Sequence, residues 1–186
     1  MRIIAIFAFL GAIIGGTASW LLIIDHRTAP HFALVDHTGS RRTDWDYHGK
    51  MTILYFGYSF CPDVCPTELG YMSRIIREFG PSGNMITPIF VTVDPKRDTP
   101  AKLADYVHLF CERMVGLTGT PEEIDQAAKE FGVFYQQVDV LGQQPGFYLM
   151  NHSSIIYVLD QQGVIVDQLD SHVPVSQSID RIKRFM

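Results

Sequence analysis

The chain has 186 residues, 47% of them hydrophobic, and a formal net charge of −5. That balance leaves no basic surface suited to nucleic acid, and there is no glycine loop able to cradle phosphate. Once an apolar N-terminal segment is set aside, about 160 residues remain, enough for one domain with a core that needs no disulfide staples.

Ile3 to Ile24 is apolar and uncharged, long enough to span a bilayer as a helix. Arg2 precedes it, and Asp25 and Arg27 nearly cancel after it. The positive-inside rule therefore leaves the N-terminus in the cytoplasm and the domain outside. A cleaved signal peptide ending near Gly16-Thr17-Ala18 is the rival reading. The uncleaved anchor is preferred, because apolar residues resume at Trp20–Ile24. Either way the domain faces an oxidising compartment. The expected organisation is an anchor over 1–25, a linker over 26–30 and one domain over 31–186.

Phe32–Val35 and Arg41–Thr43 read as two strands around the turn His37–Ser40, an N-terminal β-hairpin. Asp44–Lys50 is a polar loop. Met51–Phe56 is too apolar to be half exposed and reads as a central strand. Leu69, Met72, Ile75, Ile76 and Phe79 recur at helical spacing after Pro66, and Gly80 closes that helix. Met85–Val93 is a second buried strand. It runs into the charged loop Asp94–Pro100, which opens a helix over Lys102–Arg113. Thr120-Pro121-Glu122-Glu123 starts another helix, to about Phe131. Val133–Val138 reads as a strand and Asp139–Gly146 as a loop. Ser154–Leu159 and Val164–Leu169 form a hairpin, and Val175–Phe185 is a closing helix. Strands alternating with helices predict an α/β fold, a thioredoxin-like sheet with flanking helices, preceded by one transmembrane helix.

Two of the three cysteines fall in Cys61-Pro62-Asp63-Val64-Cys65-Pro66, between the first central strand and its helix. Two thiols at the positive end of a helix dipole suit either thiol exchange or soft-metal binding. At this spacing they can form a disulfide or share one metal. His152 stands immediately before the strand at Ile155. Two sulfurs and one imidazole make a low-coordinate set suited to Cu(I) and able to hold Cu(II), whereas zinc would want a fourth ligand. Asp94, Arg97 and Asp98 are read either as a solvated helix cap or as an electrostatic rim around the thiols. Cys111 reads as a small buried hydrophobe within a helix, and the other histidines as surface or core residues.

Cys61–Pro66, Val93-Asp94-Pro95-Lys96-Arg97-Asp98-Thr99-Pro100, Gly116–Thr120 and Asn151-His152-Ser153 occur in order. Together they resemble the Sco/SenC family of copper chaperones, which are membrane-anchored thioredoxin-fold proteins. The resemblance implies that Cys61, Cys65 and His152 bind copper, with Asp94 beside the site. Ser59 stands where threonine is frequent in that family. The implied role is assembly of the CuA centre of cytochrome c oxidase, by giving copper, by reducing the oxidase cysteines, or both. The implied partners are the copper-bearing oxidase subunit and a periplasmic copper donor or thiol reductant. The implied setting is a bacterial inner membrane, crossed once, with a monomeric C-terminal domain in the periplasm. A metallochaperone is expected rather than an enzyme. The alternative is a thiol-disulfide oxidoreductase using Cys61 to attack and Cys65 to resolve. A peroxiredoxin is disfavoured, because Phe56–Phe60 lacks the proline and threonine arrangement expected ahead of its reactive cysteine.

Overall fold

The computed structural model describes residues 29–140 and 146–186. The anchor expected over Ile3–Ile24 lies outside the described residues. Among those described, no helix is long and apolar enough to cross a membrane.

The central strands are β3 (Met51–Gly57), β4 (Ile86–Thr92) and β5 (Val115–Thr118), paired in parallel. Every residue of β3 is buried, as its uninterrupted apolar sequence requires. Antiparallel strands extend both edges. On one side lie β1 (Ala33–Asp36) and β2 (Arg41–Thr43), and on the other β8 (Ile156–Leu159) and β9 (Ile165–Leu169). The seven-stranded order is β2-β1-β5-β4-β3-β8-β9. This is the α/β, thioredoxin-like arrangement expected, including the N-terminal hairpin.

Helix α1 (Val64–Glu78) buries Cys65, Leu69, Met72, Ile75 and Ile76 on one face of the sheet. It starts two residues before Pro66, whose missing N–H is harmless in a first turn. Helix α2 (Pro100–His108) lies on the same face, with Tyr106 against Phe90, the β4 partner of Tyr55. Helix α3 (Pro121–Phe131) covers the other face, with Phe131 edge-on to Phe56 and Tyr157. Helix α4 (Val175–Ile182) packs on α1, where the Tyr71 hydroxyl lies 2.6 Å from that of Ser178.

Three departures from the sequence expectation matter. Helix α2 ends at His108 rather than Arg113, so Cys111 lies beyond it in a turn and is only partly buried. Gly116–Thr118 belongs to a strand. The third departure is β7 (Tyr148–His152), which pairs antiparallel with β6 (Tyr135–Asp139) as a separate two-stranded ribbon, so that Tyr135 opposes His152.

Candidate metal centre

The cysteine loop leaves the C-terminal end of β3 and is tied to the loop that leaves β4. The Ser59 N–H donates to Asp98 Oδ2 at 2.9 Å and its hydroxyl to Oδ1 at 2.5 Å. Thr92 Oγ1 donates to Asp98 Oδ2 at 2.6 Å. Asp98 is fully buried, so these hydrogen bonds are what offset the cost of removing its carboxylate from water. Gly57 completes the loop base. A Cβ there would lie 2.8 Å from Cys65 Sγ and 2.9 Å from the Tyr55 ring, so the sulfur can sit against the strand only because no side chain stands in its place.

Cys61 Sγ accepts the Cys65 N–H at 3.4 Å. It thereby satisfies a first-turn donor that the Asp63 side chain leaves free. Cys65 Sγ lies 3.4 Å from His152 Nε2. His152 Nδ1 lies 3.0 Å from the Ser153 carbonyl. That carbonyl can only accept, so the proton sits on Nδ1 and the Nε2 lone pair faces the sulfurs. The imidazole is held edge-on between Tyr55 and Tyr58, with ring centroids 6.0 and 5.8 Å away. One donor atom from each of Cys61, Cys65 and His152 falls within 4.8 Å of the others. No other grouping of this kind occurs among the described residues.

The two thiols are not equivalent. Cys65 is fully buried, while Cys61 keeps 8% exposure at the mouth. A hydrogen bond from the Cys65 thiol holds the Cys61 thiol well below the ordinary range, and His152 adds to this against the opposing effect of burial. The same hydrogen bond, reinforced by burial, pushes Cys65 upward. The pair therefore carries one shared proton, with the first charge on Cys61. Two sulfurs and one imidazole, joined by no further histidine, cysteine or carboxylate among the described residues, match the low coordination and softness of Cu(I) better than a closed zinc site.

Asp94 and Arg97 also lie at this end of the sheet, but their polar contacts are with each other and with β7. Arg97 Nε pairs with Asp94, which is almost fully buried. Tyr148 Oη donates to Asp94 Oδ1 at 2.9 Å, and Arg97 Nη1 donates to the Tyr148 carbonyl at 3.0 Å. The contributions of Tyr55, Tyr58, Tyr148 and Gly57 were not legible in the sequence, whereas Asp98 belongs to the rim expected beside the thiols. Only the neighbouring motifs hinted at them. The remaining described histidines do not join the sulfurs; His37, for example, packs against His108, and His172 pairs with Asp170.

Cys61 and His152 border a cleft of about 260 Å³ between the wall Cys61–Val64 and the wall Leu149–His152, with Cys65 buried behind them. Residues 24–186 match the family model SCO1/SenC. The human mitochondrial protein SCO1 homolog is 40% identical over 138 residues, which cover 73% of this chain and 45% of that protein. The chain spans about half the length of the curated relatives it matches. Bradyrhizobium japonicum ScoI, solved with copper bound, superposes with a TM-score of 0.78 at 35% identity, covering 84% of this chain and 98% of that one. Yeast Sco1, also solved with copper bound, gives a TM-score of 0.75 at 35% identity, covering 83% and 85%.

Proposed function

This chain belongs to the SCO1/SenC family, and from that premise we propose that it is a copper-binding assembly factor whose cargo is held by Cys61, Cys65 and His152. The observation that carries the reading is the convergence of two sulfurs and an imidazole nitrogen within 4.8 Å, with no further histidine, cysteine or carboxylate joining them among the described residues. Copper bound by relatives of this fold supports it. Cys61 supplies a preformed thiolate. Cys65 gives up its proton as the metal enters, because only a thiolate is a strong ligand. Three ligands leave room for a thiol or thioether of an acceptor to enter the cleft, so copper passes by ligand exchange. The acceptor is the copper-bearing subunit of cytochrome c oxidase. The protein is a monomer of one domain, over residues 31–186, tethered by a single N-terminal helix in a bacterial inner membrane and facing the periplasm. The apolar run 3–24 supports that tether.

Loading depends on redox state. Forming the Cys61–Cys65 disulfide from the Cys61 thiolate and the Cys65 thiol releases one proton, passes two electrons to a disulfide-bearing partner that is thereby reduced to its dithiol level, and consumes both sulfur ligands. Titration against a competing Cu(I) chelator tests this: dithiol protein binds one Cu(I), and the disulfide form binds little. Equal affinity in both forms overturns the proposal. The activated Cys61 at the mouth of the cleft, backed by the fully buried Cys65, also favours a second reading, reduction of the acceptor's disulfide. His152→Ala separates the two. Copper affinity falls while thiol exchange persists if the cargo is copper; unchanged copper affinity favours the redox reading.

A further inference from the structure

The two walls of the cleft belong to different parts of the fold. Cys61 comes from the β3–α1 loop. His152 comes from the β6–β7 ribbon, which shares no strand pairing with the main sheet. A two-stranded ribbon is marginal on its own, so its placement has to come from side chains. At the His152 end, the imidazole packs edge-on against Tyr55 of β3 and Tyr58 of the loop after it, and Tyr55 Oη lies 3.4 Å from Ser154 Oγ.

At the Tyr148 end the tie is Arg97. Its guanidinium carbon lies 3.7 Å from the Tyr148 ring centroid, 4.7 Å from that of Phe60 and 5.7 Å from that of Tyr58. Tyr148 stands in the ribbon, Phe60 directly precedes Cys61, and Tyr58 packs edge-on against His152. One planar cation thus spans both walls and also touches the ring that orients the imidazole. Buried Asp94 fixes that cation from below and receives the Tyr148 hydroxyl. A lysine in its place would keep the charge but could neither stack on several rings nor hold the Tyr148 carbonyl and Asp94 at once.

We propose that Arg97 is a positioning residue that sets the separation of the two cleft walls, and through it the distance of His152 Nε2 from the cysteine sulfurs. The copper part of this inference rests on the function proposed above; the wall-setting part does not.

Two measurements test it on the full chain. In metal-free protein, hydrogen exchange of the amides in Tyr148–His152 is expected to rise by on the order of tenfold in Arg97→Ala and Arg97→Lys, while β3 and β4 stay protected. Unchanged ribbon exchange, or an equal rise in the central strands, overturns the proposal. In the second, Cu(I) affinity is measured in a cycle of Arg97→Ala, Arg97→Lys and His152→Ala. Either Arg97 change is expected to weaken binding roughly 10–100-fold in the His152 background and to have no further effect once His152 is alanine. Cu(II)-loaded Arg97→Ala should also lose the imidazole nitrogen hyperfine signal in electron paramagnetic resonance. An equal loss of affinity in both backgrounds overturns the proposal. If His152→Ala itself binds copper like the wild type, the copper reading fails instead, and the ribbon exchange alone decides whether Arg97 sets the walls.

Discussion

Gly57 decides where Cys65 can stand. A methyl group there would meet the sulfur at 2.8 Å and the Tyr55 ring at 2.9 Å, with Phe90 at 3.0 Å behind. Neither ring has room to retreat, since Tyr55 and Phe90 are fully buried. Gly57→Ala is therefore expected to cost about 1–3 kcal/mol of stability by overpacking. It should also lower Cu(I) affinity by moving one sulfur off the other two donors. Thermal denaturation beside a chelator competition would register both effects, and a variant that melts and loads like the parent would contradict the argument. The cysteines and His152 were legible from residue type and motif. Gly57 was not, because its importance lies in a contact made across the fold, a sulfur from the next helix; Asp98 was legible as part of the charged loop, but its bond to Ser59, 39 positions away, was not.

Local signals served best where an element closes on itself. Thr120-Pro121-Glu122-Glu123 announced α3, and the structure holds the reciprocal cap: Thr120 Oγ1 accepts from the Glu123 N–H at 3.3 Å, and Glu123 Oε2 accepts from the Thr120 N–H at 2.9 Å. Thr120→Ala should cost about 1 kcal/mol. Urea unfolding should show the midpoint fall at constant slope, and an unchanged midpoint would mean that packing of Phe131 alone sets this helix. The same kind of signal misled at α2, where apolar residues continue in helical rhythm past His108. Leu109 in fact points to solvent at 78% exposure, and the chain turns toward β5. Strand β7 was invisible for a different reason. Of its five residues only Met150 is buried, so it lacks the alternation that burial on one face imposes.

At the scale of the whole molecule, the site forms where parallel strands β3 and β4 end together, roofed by a ribbon from later in the chain. The sequence carried the sheet and the order of its motifs. It could not carry the roof, which depends on Arg97 meeting three rings from two distant segments. The far end of the sheet governs acid stability. Burial alone would raise the Asp36 carboxyl, but hydrogen bonds from Thr38 and Ser40 and the Arg42 guanidinium override it and bring it from 3.8 to about 2. A depressed folded value contributes stability above the unfolded value that is lost as pH falls through the folded one. Asp36→Asn should thus cost about 2 kcal/mol at neutral pH, and the difference from the parent should shrink between about pH 4 and pH 2 in denaturation curves taken across that range. A difference independent of pH would assign the effect to packing instead. The depth of the cysteines has a temporal consequence under the proposed function. Cys65 is walled in by Gly57, Tyr55 and α1, whereas Cys61 and His152 flank the opening. An incoming ligand meets the cargo from the front, so the two outer donors are displaced first and Cys65 is the last tether to break, giving the handover a fixed sequence of departures.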